Sequence, residues 1–95
     1  MEKIKTYLGL ARNGGYLVIG SDKLDGYQKK LYLILIDKLA GKSSNKIANK
    51  HRENGVEVFE IERLDELSNI KNCKILGIKN KGLSDEIKKY LIKEN

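Results

Sequence analysis

Apolar positions along this 95-residue chain alternate between a helical and an extended spacing, and the alternation predicts its elements. Ile4, Leu8 and Ala11 recur at helical intervals, with Leu10 widening the stripe, which predicts a first helix over Glu2 to Asn13. Gly14 or Gly15 supplies the left-handed conformation that ends it. Tyr16 to Ile19, aromatic and branched between glycines, reads as a short strand. Ser21 is placed to cap a second helix reaching about Lys30, which Gly26 makes short or irregular. Leu31 to Ile36 is a continuous apolar run, the pattern of a central strand covered on both faces. Ser43 or Ser44 is placed to cap a third helix, which carries Ile47 and His51 one turn apart and stops at Asn54-Gly55. Val56, Val58, Phe59 and Ile61 predict another strand, Leu64 to Ser68 a helix of one or two turns, and Lys74 to Ile78 a fourth strand. Ser84-Asp85-Glu86 then opens a last helix, with Ile87, Tyr90 and Leu91 on its inner side.

Helices and strands thus alternate from end to end, and such alternation places helices on both faces of a largely parallel or mixed sheet. The expected architecture is an α/β fold, a three-layer α/β/α sandwich with a four-stranded mixed sheet, forming one domain over residues 1–95. The chain has no proline, and no internal repeat, heptad pattern, low-complexity tract or linker interrupts it. A chain of this length buries roughly two thirds of its unfolded surface, enough for a core without staples.

Charge narrows the class of partner. Nineteen Lys and Arg against thirteen Asp and Glu leave a formal +6 and a pI near 9.4, which favours polyanions, nucleic acid first among them. The lone Cys73 excludes an internal disulfide, and the opening Met-Glu-Lys-Ile-Lys lacks the apolar run of a signal peptide, so a cytoplasmic protein is expected. The longest apolar run is far too short to cross a bilayer, and no membrane association is expected. A monomer is the expected state.

Enzyme chemistry finds little support in the residues. Gly41-Lys42-Ser43 looks like the end of a phosphate-binding P-loop, yet Ile36 stands where that motif requires its first glycine, so a turn and a serine cap account for it. One histidine and one cysteine assemble no zinc cluster, and neither a metal nor another cofactor is expected. His51, beside Ile47 on a helix face, reads as a packed histidine before it reads as a general base. Ser21, Ser84 and one of Ser43 or Ser44 stand at helix starts, where capping explains them, and no spacing suggests a catalytic triad.

Two constellations point to RNA. Between Lys42 and Arg52 lie Lys42, Lys46, Lys50 and Arg52 without an acid, and the three lysines repeat every fourth residue, with Asn45 and Asn49 flanking them. A solvated lysine face accounts for that stripe as readily as a surface that follows phosphates. At Gly20-Ser21-Asp22-Lys23, helix amides, a hydroxyl, a carboxylate and a lysine fall within one turn. Taken alone it reads as an ordinary helix start before it reads as a contact in which Asp22 accepts from a guanine edge and Lys23 holds a phosphate.

These features together resemble the ribosomal L-seven-Ae family of kink-turn RNA-binding proteins, particularly its small bacterial members. The resemblance begins with Leu8-Gly9-Leu10-Ala11-Arg12, Gly15, Leu17-Val18 and Gly20. It continues through Leu31 to Ile36, the lysine-rich third helix, Gly55-Val56, Leu76-Gly77-Ile78 and Lys81-Gly82, nearly the whole chain. It implies an α/β/α sandwich that binds sharply bent RNA with tandem sheared guanine-adenine pairs, without covalent chemistry. It also implies the contact residues. Gly20, Ser21, Asp22 and Lys23 fall on the family's Gly-x-Asn-Glu type motif, with Asp22-Lys23 where the family has an amide and then an acid. Asp37 and Lys38 fall on the loop after the second strand, and Glu62, Arg63 and Leu64 on the loop after the third. Lys42 and Lys46 join them from the basic stripe, and the implied partner is structured RNA, ribosomal or regulatory. The competing expectation is a protein-interaction module whose acidic strip from Glu57 to Glu66 faces a basic partner.

Overall fold

The computed structural model describes residues 2–94. Its elements follow in the order α1 (Glu2–Asn13), β1 (Leu17–Ile19), α2 (Ser21–Leu24), β2 (Leu33–Asp37), α3 (Lys42–Glu53), β3 (Val58–Ile61), α4 (Leu64–Ser68), β4 (Ile75–Ile78) and α5 (Lys81–Glu94). The four strands form one mixed sheet in the order β1-β4-β2-β3, with β4 antiparallel to both its neighbours and β2 parallel to β3. Parallel neighbours need a crossover, and α3 provides it between β2 and β3.

Side chains alternate across the sheet and divide the core in two. Leu33, Leu35, Leu76 and Ile78 point to one face, where Ile4 and Leu8 of α1, Leu64 and Leu67 of α4, and Ile87 and Leu91 of α5 cover them. Ile34, Ile36 and Ile75 point to the other, under Leu24 of α2 and Ile47 and Ala48 of α3. All five residues of β2 are buried, as a central strand between two helical layers requires. The architecture is therefore the three-layer α/β/α sandwich.

Several boundaries differ from the sequence expectation, each for a local reason. Helix α2 stops at Leu24, well short of Lys30, because Asp25 is extended and Gly26 adopts φ 73°. The expected serine caps are replaced. Gly20 and Gly41 precede α2 and α3, and neither makes a side-chain cap bond. Helix α5 begins at Lys81, where the Leu83 N–H donates to Asn80 Oδ1 at 2.9 Å, and Ser84 lies inside the helix with its hydroxyl buried and unpartnered. Strand β2 starts at Leu33, not Leu31, and Leu31 instead packs over the sheet from the preceding loop.

Candidate nucleic-acid interface

Because β1, β2 and β3 run in one direction and β4 in the other, the carboxyl ends of three strands and the start of β4 meet at one edge of the sheet. The β1–α2 corner, the β2–α3 loop and the β3–α4 loop all leave from that edge. From β1 to β3 it spans three strand spacings, about 14 Å. The sequence-expected site residues are thereby gathered into one row, although they come from three separated segments.

At one end of the row, Gly20 takes φ 93° and ψ 154°, a conformation essentially confined to glycine, and its N–H donates to the Ile75 carbonyl at 3.0 Å. This turn sends the chain from β1 straight into α2, leaving Asp22 and Lys23 exposed and Ser21 half-buried. The short helix is held from behind: Leu24 is fully buried, and His51 of α3 donates from Nε2 to the Leu24 carbonyl at 2.8 Å. His51 is thus a packed residue whose ring tethers α2 to α3.

The middle of the row is organised by Asp37, and here the expectation from resemblance needs correcting. Asp37 is only 4% exposed and both its carboxylate oxygens are engaged by backbone N–H groups, so it orders the loops and offers no free acceptor to a base. Its Oδ1 accepts the Leu39 N–H at 2.8 Å and its Oδ2 accepts the Leu64 N–H at 2.9 Å, binding the β2–α3 loop to the start of α4. Burial pushes this carboxyl upward, but the two N–H bonds and the Lys74 ammonium 4.0 Å away outweigh it and hold the pKa below its ordinary value. Leu64 is corrected likewise. It is fully buried in the core under α4, so no base can lie against it. Its side chain anchors the loop from which Arg63 projects.

The exposed groups of this stretch are Lys38, Leu39, Glu62 and Arg63, which with Asp37 border a cavity of about 210 Å³. Lys38 pairs with Glu62 at 3.3 Å, and Arg63, in the left-handed region at φ 55°, pairs with Glu66 at 3.6 Å. All four partners are largely exposed, so these pairs are worth little and can be exchanged for a phosphate. Leu39 is 83% exposed at the tip of the β2–α3 loop, an apolar surface at the height of the row. Sequence reasoning missed it because a leucine beside an apolar strand reads as core. Lys74 was missed as well, since its place at this edge depends on β4 running antiparallel.

Beyond Leu39 the chain enters α3, and Lys42 and Lys46 stand exposed on its outer side. No ion pair among the described residues involves either of them or Lys50. The positive surplus of the whole molecule is unevenly spread between its helical layers. Helices α2 and α3 hold five basic and two acidic residues, whereas α1, α4 and α5 together hold seven and six. The acidic strip, by contrast, is partly neutralised from within. Besides Glu62 and Glu66, Glu57 accepts from Lys88 at 2.9 Å, a bond that keeps the Lys88 ammonium pKa above its ordinary value.

The fold is similar to that of a solved protein of unknown function from Bacillus halodurans C, at 20% sequence identity, with a TM-score of 0.78 over 95% of this chain and 97% of that one. At that identity the likeness shows the fold alone. No family model matches the chain, and no curated protein matches it. No helix among the described residues is long and apolar enough to cross a membrane.

Proposed function

We propose that this protein binds structured RNA of the kink-turn class in the cytoplasm and performs no covalent chemistry on it. The observation that carries this reading is the convergence of the three loops on one sheet edge, next to the helical layer holding the positive surplus. Amides of the Gly20 turn with Asp22 and Lys23 face bases at one end, Lys38 and Arg63 meet phosphates at the other, and Leu39 offers an apolar contact between them. Binding of this kind selects by shape: a bend brings unstacked bases and backbone together before a row about 14 Å long, whereas a straight duplex keeps its bases paired and stacked.

Titration of a kink-turn duplex with tandem sheared guanine-adenine pairs against an unbent duplex of equal length tests the reading. The bent RNA is expected to bind at least about tenfold more tightly, a difference of about 1.4 kcal/mol. Equal, weak affinity for both would remove shape recognition.

A further inference from the structure

We infer that the outer face of α3 is a track for the sugar-phosphate backbone of one RNA strand, three phosphates long, leading away from the sheet edge; the inference rests on the RNA reading above. A shallow groove, largely open to solvent, runs along this helix beside Lys42, Lys46 and Lys50. Four residues of helix rise about 6 Å, so consecutive lysines are spaced as neighbouring phosphates are along a strand. Each ammonium is exposed and lacks a carboxylate partner among the described ion pairs, unlike Lys38, Lys74, Lys81 and Lys88, which all lie within 4.0 Å of one.

The asparagine row beside the lysines is differentiated. Asn45 donates from Nδ2 to the carbonyls of Ala40 and Gly41 at 3.1 and 3.0 Å, fixing the helix start against the edge loop. Asn49 accepts from Arg52 through Oδ1, so its NH2 is left to donate to a phosphate or a sugar hydroxyl. Glu53 lies at the far end of the groove, where its carboxylate repels a further phosphate and limits the track to three. Lys42 opens the helix at the sheet edge, so a strand leaving the edge site passes directly onto the track.

The test uses an eight-nucleotide uridylate, an unstructured probe that bypasses shape recognition, titrated by fluorescence anisotropy at several salt concentrations. Two triple variants of equal charge loss are compared with the native protein: Lys42→Gln with Lys46→Gln and Lys50→Gln, and Lys3→Gln with Lys89→Gln and Lys93→Gln in the opposite layer. Three lost contacts are expected to reduce the slope of log affinity against log salt by about 2 in the first variant, at about 0.7 per phosphate, and to leave it unchanged in the second. Lys46→Gln alone, which preserves the fold should the triple variant not, is expected to reduce it by about 0.7. Equal losses in both triple variants, no loss in the first, no measurable uridylate binding by the native protein at low salt, or equally tight lysine-dependent binding of octaglutamate would each overturn the track. The kink-turn comparison reports separately on the edge site: a slope loss without preference for bent RNA rejects shape recognition and leaves the track standing.

Discussion

Asp37 shows how one residue can govern a site without offering it a free acceptor. Its carboxylate accepts an N–H from each of two loops, and only a carboxylate offers an acceptor to both. In Asp37→Asn the amide NH2 must face one of those N–H groups, so a bond is lost and a buried donor is left unpartnered, at a cost of about 2 to 3 kcal/mol. The pH dependence distinguishes this origin from simple loss of packing. Because the folded carboxyl titrates below its ordinary value, its contribution is complete above an unfolded pKa of about 3.9 and is lost as pH falls through the lower folded value. Urea unfolding should therefore show a large gap between native protein and variant at neutral pH that narrows in acid; a gap that does not change with pH would refute the account. The sequence marked Asp37 and Leu64 as residues at loop ends but could not show that both turn inward. That depends on the β2–α3 loop folding back over α4, a contact between segments 27 residues apart. Ser84 illustrates the same limit in a helix. A serine near a helix start suits the cap and the first turns alike, and here the cap fell to Asn80.

At the scale of elements, helix α2 is the weakest part of the site and the most dependent on its neighbours. Four residues cannot sustain a helix in water, since nucleation alone outweighs so few hydrogen bonds. Its position comes from Leu24 pressed against the sheet over Gly77 of β4. A β-carbon at Gly77 would come within 3.0 Å of Leu24 Cδ2 and 3.1 Å of a Leu31 methyl, and both leucines are enclosed by the core. Gly77→Ala is therefore expected to lift α2 from the sheet and destabilise the protein by about 1 to 3 kcal/mol. Hydrogen exchange should quicken in the amides of α2 before those of α1 and α5, which pack on the opposite face. Uniform quickening across the protein, or none, would show that Gly77 does not set the height of α2. The long amphipathic elements were legible because burial imposed its period on the sequence, and Leu64 to Ser68 was placed correctly from end to end. The extent of α2 was not, because a helix held by tertiary contact leaves little periodicity, and only Gly26 announced its end.

Across the whole molecule, the order of elements was readable while the order of strands was not. Alternation fixes which residues face a layer, but β4 inserting between β1 and β2 is decided by packing between distant segments. That insertion is also what aligns three loops on one edge, so the site emerged only with the fold. The unequal charge of the two helical layers then makes a prediction for the molecule as one body. If RNA lies on the sheet edge and continues along α3, it covers the α2–α3 layer and leaves the outer faces of α1 and α5 in solvent. Acylation of lysines, read by mass spectrometry with and without kink-turn RNA, should show protection at Lys23, Lys42, Lys46 and Lys50, with Lys3, Lys89 and Lys93 reacting as in the free protein. All seven are exposed without RNA, so differences in their protection report the ligand and not the fold. Net charge alone would attract RNA to both layers and slow all seven together, because an attraction summed over the whole surface has no preferred face. Protection confined to the α2–α3 layer requires the geometry as well as the charge.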